Sequence, residues 1–489
     1  MRKILLYTIL ACTLALGSCN DWLDVKPRQQ NEEEEQFGKT KGFQDALIAC
    51  YIKMNSRTLY GEQLTMRAIE WMAQHWSYGI NNTADQRTLK GYDYDAAYCV
   101  SLFKSIYAEF YNVISQANTV LVNLKENGHV VDDPAKKAIL EAEALGIRAF
   151  VHMDVLRLFG QLPQNATVKV SLPYAETVSY KDPIPYYDYN AFAVKILDDL
   201  NRAETLLLEH DPIMVMNEDG SYAGFVDVAS DDFYSYRRFR VNYYSILAMK
   251  ARLYMYMGKP GDAKKYANDV IEAFERTGQM QLAGDADFLA GDFALPSECI
   301  FALSNSELAE YAVEVMAVDD WALWQEEDAI NKVIYGTTDM AVNNRAMSLW
   351  NMNALHSGGA TRPLIKKYLQ PTGTDRPGMM VLATRKEVIP LIRLSEMYLI
   401  AIETTPYAAA NDMYKTYMKA RNVTNPKLFE SDEAKMDEIV NEYRREFFAE
   451  GQMFYTYKRL GASEMAWTDE KIVEKNYVVP LPDTEIKGN

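Results

Sequence analysis

Two runs of apolar residues at helical spacing lie side by side near the middle of the chain. From Val241 onward, apolar residues recur every three or four positions, as on one face of an α-helix. The first run stops at Gly258 and a second starts at Pro260, because glycine commonly ends a helix and proline fits its first turn. The apolar positions are Tyr244, Leu247, Ala248, Ala251, Tyr254, Met255, Ala263, Tyr266, Ala267, Val270, Ile271 and Phe274. The pattern predicts two packed helices joined by a short turn, similar to a tetratricopeptide repeat.

Similar helical patterns recur along most of the chain. The further segments that show them are 101–126, 134–159, 187–209, 391–403, 407–421 and 433–450. Taken in pairs, these segments give about four helical hairpins, which would stack into a self-supporting solenoid. The sequence therefore predicts an all-α fold of tetratricopeptide-like helix pairs. Short β-strands are expected only at 167–172, 224–228 and 299–304.

The N-terminus has the pattern of a secreted lipoprotein. Residues 1–18 combine two basic residues with an apolar run that is too short for a membrane span, as in a signal peptide. The sequence Leu16-Gly17-Ser18-Cys19 resembles a bacterial lipobox. We expect cleavage before Cys19 and acylation of this residue, by palmitate among other chains, because several acyl chains give stable membrane attachment.

A short flexible tether is predicted to precede the folded body. Residues 19–37 contain four consecutive Glu among Pro, Gln and Asn, a composition that cannot bury a core and predicts a flexible acidic tether. Residues 38–489 then form a single globular domain. Two irregular segments, 67–98 and 278–388, interrupt its helices and are rich in tryptophan and tyrosine. Such excursions from a rigid scaffold are where binding surfaces usually lie.

Charge and motifs exclude several classes of protein. With 51 Lys and Arg against 68 Asp and Glu, the chain carries a net charge of −17, which argues against binding to nucleic acid. Its five histidines form no metal-binding spacing, and nucleotide-binding glycine motifs and serine-nucleophile motifs are absent from the sequence. We therefore expect no cofactor and no metal. Cys50, Cys99 and Cys299 are expected to be buried as small hydrophobic side chains, with one disulfide and a spare thiol as the alternative.

Seven stretches carry motifs in a characteristic order and spacing: residues 19–27, 141–150, 158–163, 393–401, 442–451, 458–461 and 479–489. Together they resemble the SusD/RagB family, the surface nutrient-binding lipoproteins of Bacteroidota. The charged residues of these motifs, Arg148, Glu396, Glu446 and Glu450, are interpreted as buried pairs that fix helix junctions. The resemblance covers nearly the whole chain.

The resemblance implies a binding role without catalysis. Members of the family cap a SusC-like TonB-dependent barrel in the outer membrane and deliver captured oligosaccharides, or in some members peptides, to it. Sugar rings have apolar faces that lie flat on aromatic rings, while neighbouring polar side chains bond their hydroxyls. The candidate ligand-binding residues are Trp76, Tyr78, Trp321, Trp324 and Trp350, with Asn81, Asn82, Asp85, Asp320 and Arg345 as polar partners. The tryptophans favour a glycan as ligand.

The sequence leaves three alternatives open. A peptide ligand would keep the same role but favour charged side chains and salt-sensitive affinity. A surface glycoside hydrolase would need a carboxylate pair that is joined only in space. An adhesive protein would instead use the concave face of the solenoid to bind another protein.

Overall fold

The computed structural model describes residues 33–78, 84–178, 183–214, 229, 231–317, 323–355, 361–369 and 387–483. Most of these residues are helical, so the predicted all-α fold is confirmed. The helices are α1 (Thr40–Met54), α2 (Ala68–Met72), α3 (Ala84–Lys90), α4 (Ala97–Asn127), α5 (Pro134–Phe159), α6 (Tyr189–His210), α7 (Tyr243–Tyr256), α8 (Pro260–Thr277), α9 (Asp285–Leu289), α10 (Leu308–Ala317), α11 (Asn344–Ser348), α12 (Leu394–Glu403), α13 (Tyr407–Ala420), α14 (Asp432–Glu446), α15 (Met453–Leu460) and α16 (Glu474–Tyr477).

The long helices stack on one another in chain order. Helix α1 packs on α4, α4 on α5, α5 on α6, α6 on α7, α7 on α8, and α8 on α12, which in turn contacts α13 and α14. One continuous apolar core runs through the stack, from Phe37 to Val479. This order is that of a helical solenoid, in which each helix pair buries its apolar face against the next. The predicted architecture is therefore confirmed.

Local signals in the sequence set the helix ends. Asp133 accepts a hydrogen bond from the backbone of Ala135 and so caps α5, whose first residue is proline. Asn242 and Ser245 bond each other's backbone N–H in a capping box at the start of α7. Helix α8 ends at Gly278, which has a left-handed φ of 66°. These caps explain why the predicted boundaries of the long helices lie within a few residues of the observed ones.

Buried ion pairs join neighbouring helices, as predicted. Arg148 on α5 makes a bidentate contact with Asp199 on α6, with N···O distances of 2.7 and 2.6 Å. Arg252 on α7 makes a similar contact with Glu396 on α12, at 2.7 and 2.6 Å. Both pairs are buried and point into helix junctions. The interpretation of Arg148 and Glu396 as scaffold residues is confirmed.

The strands form three small antiparallel pairs. They are β1 (Leu172–Pro173) with β2 (Tyr186–Tyr187), β3 (Cys299–Ser304) with β6 (Val388–Arg393), and β4 (Trp350–Leu355) with β5 (Thr361–Ile365). The strand predicted at 299–304 is confirmed, whereas the one predicted at 167–172 is a strand only at Leu172. The N–H groups of Thr167 and Val168 donate to the Glu474 carboxylate and so have no need of a strand partner. Residues 224–228 lie outside the described residues.

The predicted tether is shorter than expected at its C-terminal end. Phe37 is only 1% exposed, and its ring lies 4.8 Å from that of Phe43 in an edge-to-face contact. Asn123 on α4 donates a hydrogen bond to the Glu33 carboxylate at 2.9 Å. Burial of one aromatic ring is enough to hold this short segment on the body. Folded structure therefore begins by Glu33 instead of Gly38.

Within the described ranges, no helix is both long enough and apolar enough to cross a lipid bilayer. The three cysteines in those ranges are free thiols buried in the core, as predicted. Burial raises the pKa of Cys50 to about 12 and also raises the pKa of Cys99 and Cys299.

The thiols of the native protein should not react with Ellman's reagent at pH 8. A thiol reacts as its thiolate, which burial disfavours, and the reagent cannot reach these side chains. The chain from Asn20 onward, which lacks Cys12 and Cys19, should release about three equivalents of chromophore in denaturant and almost none before unfolding. Rapid reaction of one thiol under native conditions would show that its helix opens easily.

Candidate ligand-binding site

The two irregular segments meet at one place on the body. The backbone N–H of Ser77 donates to the carbonyl of Trp324 at 3.0 Å. The amide of Gln325 donates to the carbonyl of His75 at 2.9 Å, and the Ser77 hydroxyl donates to the Gln325 side-chain oxygen. Trp324 also forms a β-bridge with Leu364 on β5. The segments 67–98 and 278–388 therefore form a joint surface, although residues 99–277 lie between them in the sequence.

Tyr78 is an exposed aromatic side chain at this junction. It is 38% exposed, and its ring stacks on Trp71 of α2 at 6.1 Å between centroids and an angle of 22°. Lys90, at the end of α3, places its Nζ 4.8 Å from the centre of the Tyr78 ring and donates to the Trp76 carbonyl at 2.9 Å. We call Trp71, Tyr78 and Lys90 the tyrosine platform. It presents an aromatic surface with a cation beside it.

Burial shifts the pKa of two groups of the platform. It raises the pKa of the Tyr78 hydroxyl, which stays neutral and can donate a hydrogen bond at physiological pH. It lowers the pKa of Lys90 to about 8, because the ammonium loses water. The lysine is still mostly charged at pH 7.

Trp324 lies next to the platform but offers little surface of its own. Its side chain is 5% exposed, and the guanidinium carbon of Arg362 on β5 lies 4.1 Å from its ring centre. The indole N–H of Trp324 is buried and has no acceptor in the described part of the chain. The cation covers one face of the ring, so a ligand would first meet Arg362 and not the indole.

Two of the predicted ligand contacts are core residues instead. Trp76 and Trp350 both pack edge-to-face on Phe448, at 5.0 and 5.1 Å, while His75 stacks on the same ring at 4.4 Å. Trp76 is 0% exposed, and both indole N–H groups donate to acceptors inside the protein. The prediction that Trp76 and Trp350 line the ligand is therefore wrong in this structure. They form an aromatic core beneath the junction.

The prediction for Arg345 is also wrong in this structure. This residue lies on α11, is 2% exposed, and donates to Glu442 at 2.8 Å and to Glu446 at 2.9 Å. A guanidinium that binds two buried carboxylates is not available to a ligand. Arg345 belongs to a larger group that we call the buried ion cluster, which consists of Arg345, Lys367, Arg393, Arg421, Glu298, Glu442, Glu446 and Glu450.

The buried ion cluster fixes the second irregular segment to the C-terminal helices. Glu446 on α14 contacts Arg393 at 2.6 Å and Arg421 at 2.8 Å, and Glu450 contacts Arg393 at 2.7 Å and Lys367 at 2.5 Å. Burial alone would raise the pKa of Glu446, but the neighbouring arginines hold it well below its usual value. The predicted scaffold role of Glu446 and Glu450 is confirmed.

The remaining predicted polar contacts are placed only in part. Asp85 lies in the first turn of α3, the helix that also carries Lys90, and is partly exposed. Asn81, Asn82, Asp320 and Trp321 lie outside the described residues, in segments that directly adjoin Tyr78 and Leu323.

Sequence reasoning did not nominate Trp71, Lys90 or Arg362 as site residues. Trp71 belongs to the site through its contacts with Tyr78 and Lys90, which its sequence neighbours do not indicate. Lys90 and Arg362 come close to aromatic rings through tertiary folding, so their own sequence neighbours carry no signal of it.

Two family models match neighbouring parts of the chain. Residues 252–487 match a model described as the SusD family. Residues 21–216 match a model described as starch-binding associating with outer membrane. Together the two models leave only short stretches of the chain unmatched.

A curated relative matches over a limited stretch. The SusD-like protein P2 of Formosa agariphila is 25% identical over 156 residues, which are 32% of this chain and 30% of that protein. The matched region thus spans less than a third of the relative's length.

Solved structures match over almost the whole chain. A SusD superfamily protein from Bacteroides thetaiotaomicron has a TM-score of 0.69 at 18% identity, and the match covers 92% of this chain and 98% of that one. A laminarin binding SusD-like protein has a TM-score of 0.64 at 18% identity, with the same coverage. At this identity the likeness shows a shared fold. The two family models, which between them match residues 21–216 and 252–487, identify the chain as a member of the SusD/RagB family.

Proposed function

We propose that this protein captures oligosaccharides at the cell surface and delivers them to a SusC-like TonB-dependent transporter in the outer membrane. The observation that carries the proposal is the junction of the two irregular segments, where Tyr78 stacks on Trp71 and stays exposed. An exposed ring on a rigid support can receive the apolar face of a sugar with little loss of conformational entropy. Release to a transporter requires binding of this moderate kind.

The comparisons support the same role. One matching family is described as starch-binding and associated with the outer membrane, and one structural relative is described as laminarin binding. The lipobox at Cys19 supplies a surface anchor for such a protein. These descriptions mention neither a barrel partner nor a transfer of ligand, and both belong to our proposal.

We propose binding without catalysis. Glycoside hydrolysis needs two carboxyl groups that flank a bound sugar, one of them able to donate a proton. Several buried carboxylates, including Glu298, Glu446 and Glu450, are instead held by arginine or lysine side chains of the scaffold. Groups held in this way are poorly suited to move protons.

Replacing Tyr78 with alanine should weaken glycan binding by about 5- to 30-fold, since loss of one stacking ring costs about 1–2 kcal/mol. Isothermal titration calorimetry of the chain from Asn20 onward, against a panel of soluble glycans and a peptide digest, measures the effect. The matched control is Tyr266→Ala. Like Tyr78, Tyr266 stacks on another aromatic ring, that of Tyr254, and has a lysine, Lys265, over its own ring. It differs in position, because it lies on α8 of the solenoid.

The outcomes separate the candidate functions. If Tyr78→Ala and Tyr266→Ala bound a glycan with equal affinity, the binding site would lie outside the tyrosine platform. If the titration showed binding heat only with the peptide digest, the proposed role with a transporter would stand, but the ligand would be a peptide. Absence of any ligand, together with failure to co-purify a large outer-membrane barrel, would favour an adhesive protein.

A further inference from the structure

Within the described residues, two cations at the candidate site have no carboxylate partner. Lys90 and Arg362 each lie against an aromatic ring, and in that part of the chain neither forms an ion pair. The Lys90 ammonium donates a hydrogen bond to the backbone carbonyl of Trp76. A partly buried ammonium without a counter-ion is costly, because it has lost water and gained no opposite charge.

Comparison with the other lysines of the described residues shows that this arrangement is unusual. Among those residues, four other lysines lie over tyrosine rings, and each also bonds a carboxylate: Lys136 with Asp231, Lys195 with Glu176, Lys250 with Glu204, and Lys265 with Asp269. A fifth, Lys259 over Tyr254, is exposed and so keeps its water. Lys90 differs from all five because it is partly buried and no acid of the described chain bonds it.

Because the protein is strongly acidic, the lack of a carboxylate partner for Lys90 within the described residues is more informative. The chain carries 17 more negative than positive charges, so acidic side chains are abundant on its surface. Around Tyr78, one basic residue, Arg87 on α3, and one exposed acidic residue, Glu470, act on the hydroxyl electrostatically. Two cations, Arg87 and Lys90, therefore lie near this tyrosine, against one carboxylate that acts on its hydroxyl.

We propose that the glycan captured at the tyrosine platform is anionic, and that its carboxylate or sulfate groups bind Lys90 and Arg362. This inference rests on the proposed function and specifies its ligand class. A sugar ring stacks on Tyr78 while an acidic substituent approaches Lys90, whose remaining N–H groups can donate to it. The guanidinium of Arg362 presents a planar fork that suits carboxylate and sulfate alike.

The test uses glycan pairs that differ only in charge. Oligogalacturonides with free carboxylates are compared with their methyl esters, and sulfated carrageenan oligosaccharides with their desulfated forms. Laminari- and malto-oligosaccharides serve as uncharged ligands, and all are presented on one array to the chain from Asn20 onward. An anionic ligand should bind at least about 10-fold more tightly than its neutral partner, and the preference should shrink as NaCl rises from 50 to 500 mM. The two pairs distinguish carboxylate from sulfate.

Substitutions then connect the preference to the two cations. Lys90→Met and Arg362→Gln should each reduce affinity for the anionic member roughly 10-fold, and should reduce affinity for the neutral member by about 3-fold at most. Lys90→Arg should retain most of the preference. Lys265→Met is the control, because that lysine also lies over a tyrosine but is bonded to Asp269. Equal loss for both members of a pair would mean that Lys90 only supports the platform, and would overturn the inference.

The same array separates this inference from the function on which it rests. Binding of neutral glycans with no gain from charge would overturn the anionic ligand and retain glycan capture. Absence of binding to every glycan would overturn both. Binding to acidic peptides alone would assign the two cations to a different class of ligand and overturn both as well.

Discussion

Replacing Glu446 with alanine should lower the free energy of unfolding by about 3–5 kcal/mol, the usual cost of removing one partner from a buried ion pair. The Glu446 carboxylate accepts hydrogen bonds from Arg345, Arg393 and Arg421, all of which are buried. Without it, three guanidinium groups would share the remaining acids of the buried ion cluster. Denaturant unfolding followed by circular dichroism measures the change as a lower midpoint.

The control for this substitution is Asp328→Ala. Asp328 forms an exposed ion pair with Lys332 at 2.8 Å, and such pairs contribute about 0–1 kcal/mol. A similar small change in both variants would show that water already reaches the cluster. Loss of cooperativity in Glu446→Ala, with the solenoid intact, would show that the second irregular segment unfolds separately.

Replacing Gly451 with alanine should destabilise the protein by more than about 4 kcal/mol, a size reserved for clashes and similar defects in a packed core. Gly451 has a φ of 68°, and a Cβ built there would lie 1.7 Å from the carbonyl oxygen of Leu64. Its N–H also donates to the buried Glu70 carboxylate at 2.9 Å. The same carboxylate lies 2.6 Å from His75, beneath the junction of the two irregular segments. Thermal unfolding measures the stability, and calorimetry of the folded fraction measures ligand affinity.

Gly461 provides a control with the same backbone conformation. Its φ is 60°, but no atom lies within 4 Å of an added Cβ. Alanine at this position should therefore cost only the left-handed conformation, about 1–2 kcal/mol. If Gly451→Ala cost no more than Gly461→Ala, the close approach to Leu64 would be relieved by a small shift, and the packing argument would fail.

Most of the fold could be predicted because helix periodicity and caps are local signals. Helix α5 begins and ends at the predicted residues, since proline starts it and an apolar stripe at helical spacing continues to Leu158. The strand prediction at 167–172 failed for the opposite reason. A distant side chain, Glu474, satisfies the backbone there, and no local pattern indicates it.

The candidate site could be predicted only in outline. Both irregular segments were found from their composition, and the structure joins them through Ser77 and Trp324. Composition cannot tell whether a tryptophan faces solvent or a phenylalanine such as Phe448, which lies about 370 residues beyond Trp76 in the sequence. Arg345 was misplaced for the same reason, because its partners Glu442 and Glu446 come from α14.

The docked segment at Glu33 and Phe37 sets a limit on how far the protein can move from the membrane. With Cys19 acylated as proposed, 13 residues lie between the lipidated cysteine and Glu33. A chain of that length reaches at most about 50 Å when fully extended. The bound segment lies against α1 and α4, so the pull of the anchor acts on this end of the solenoid.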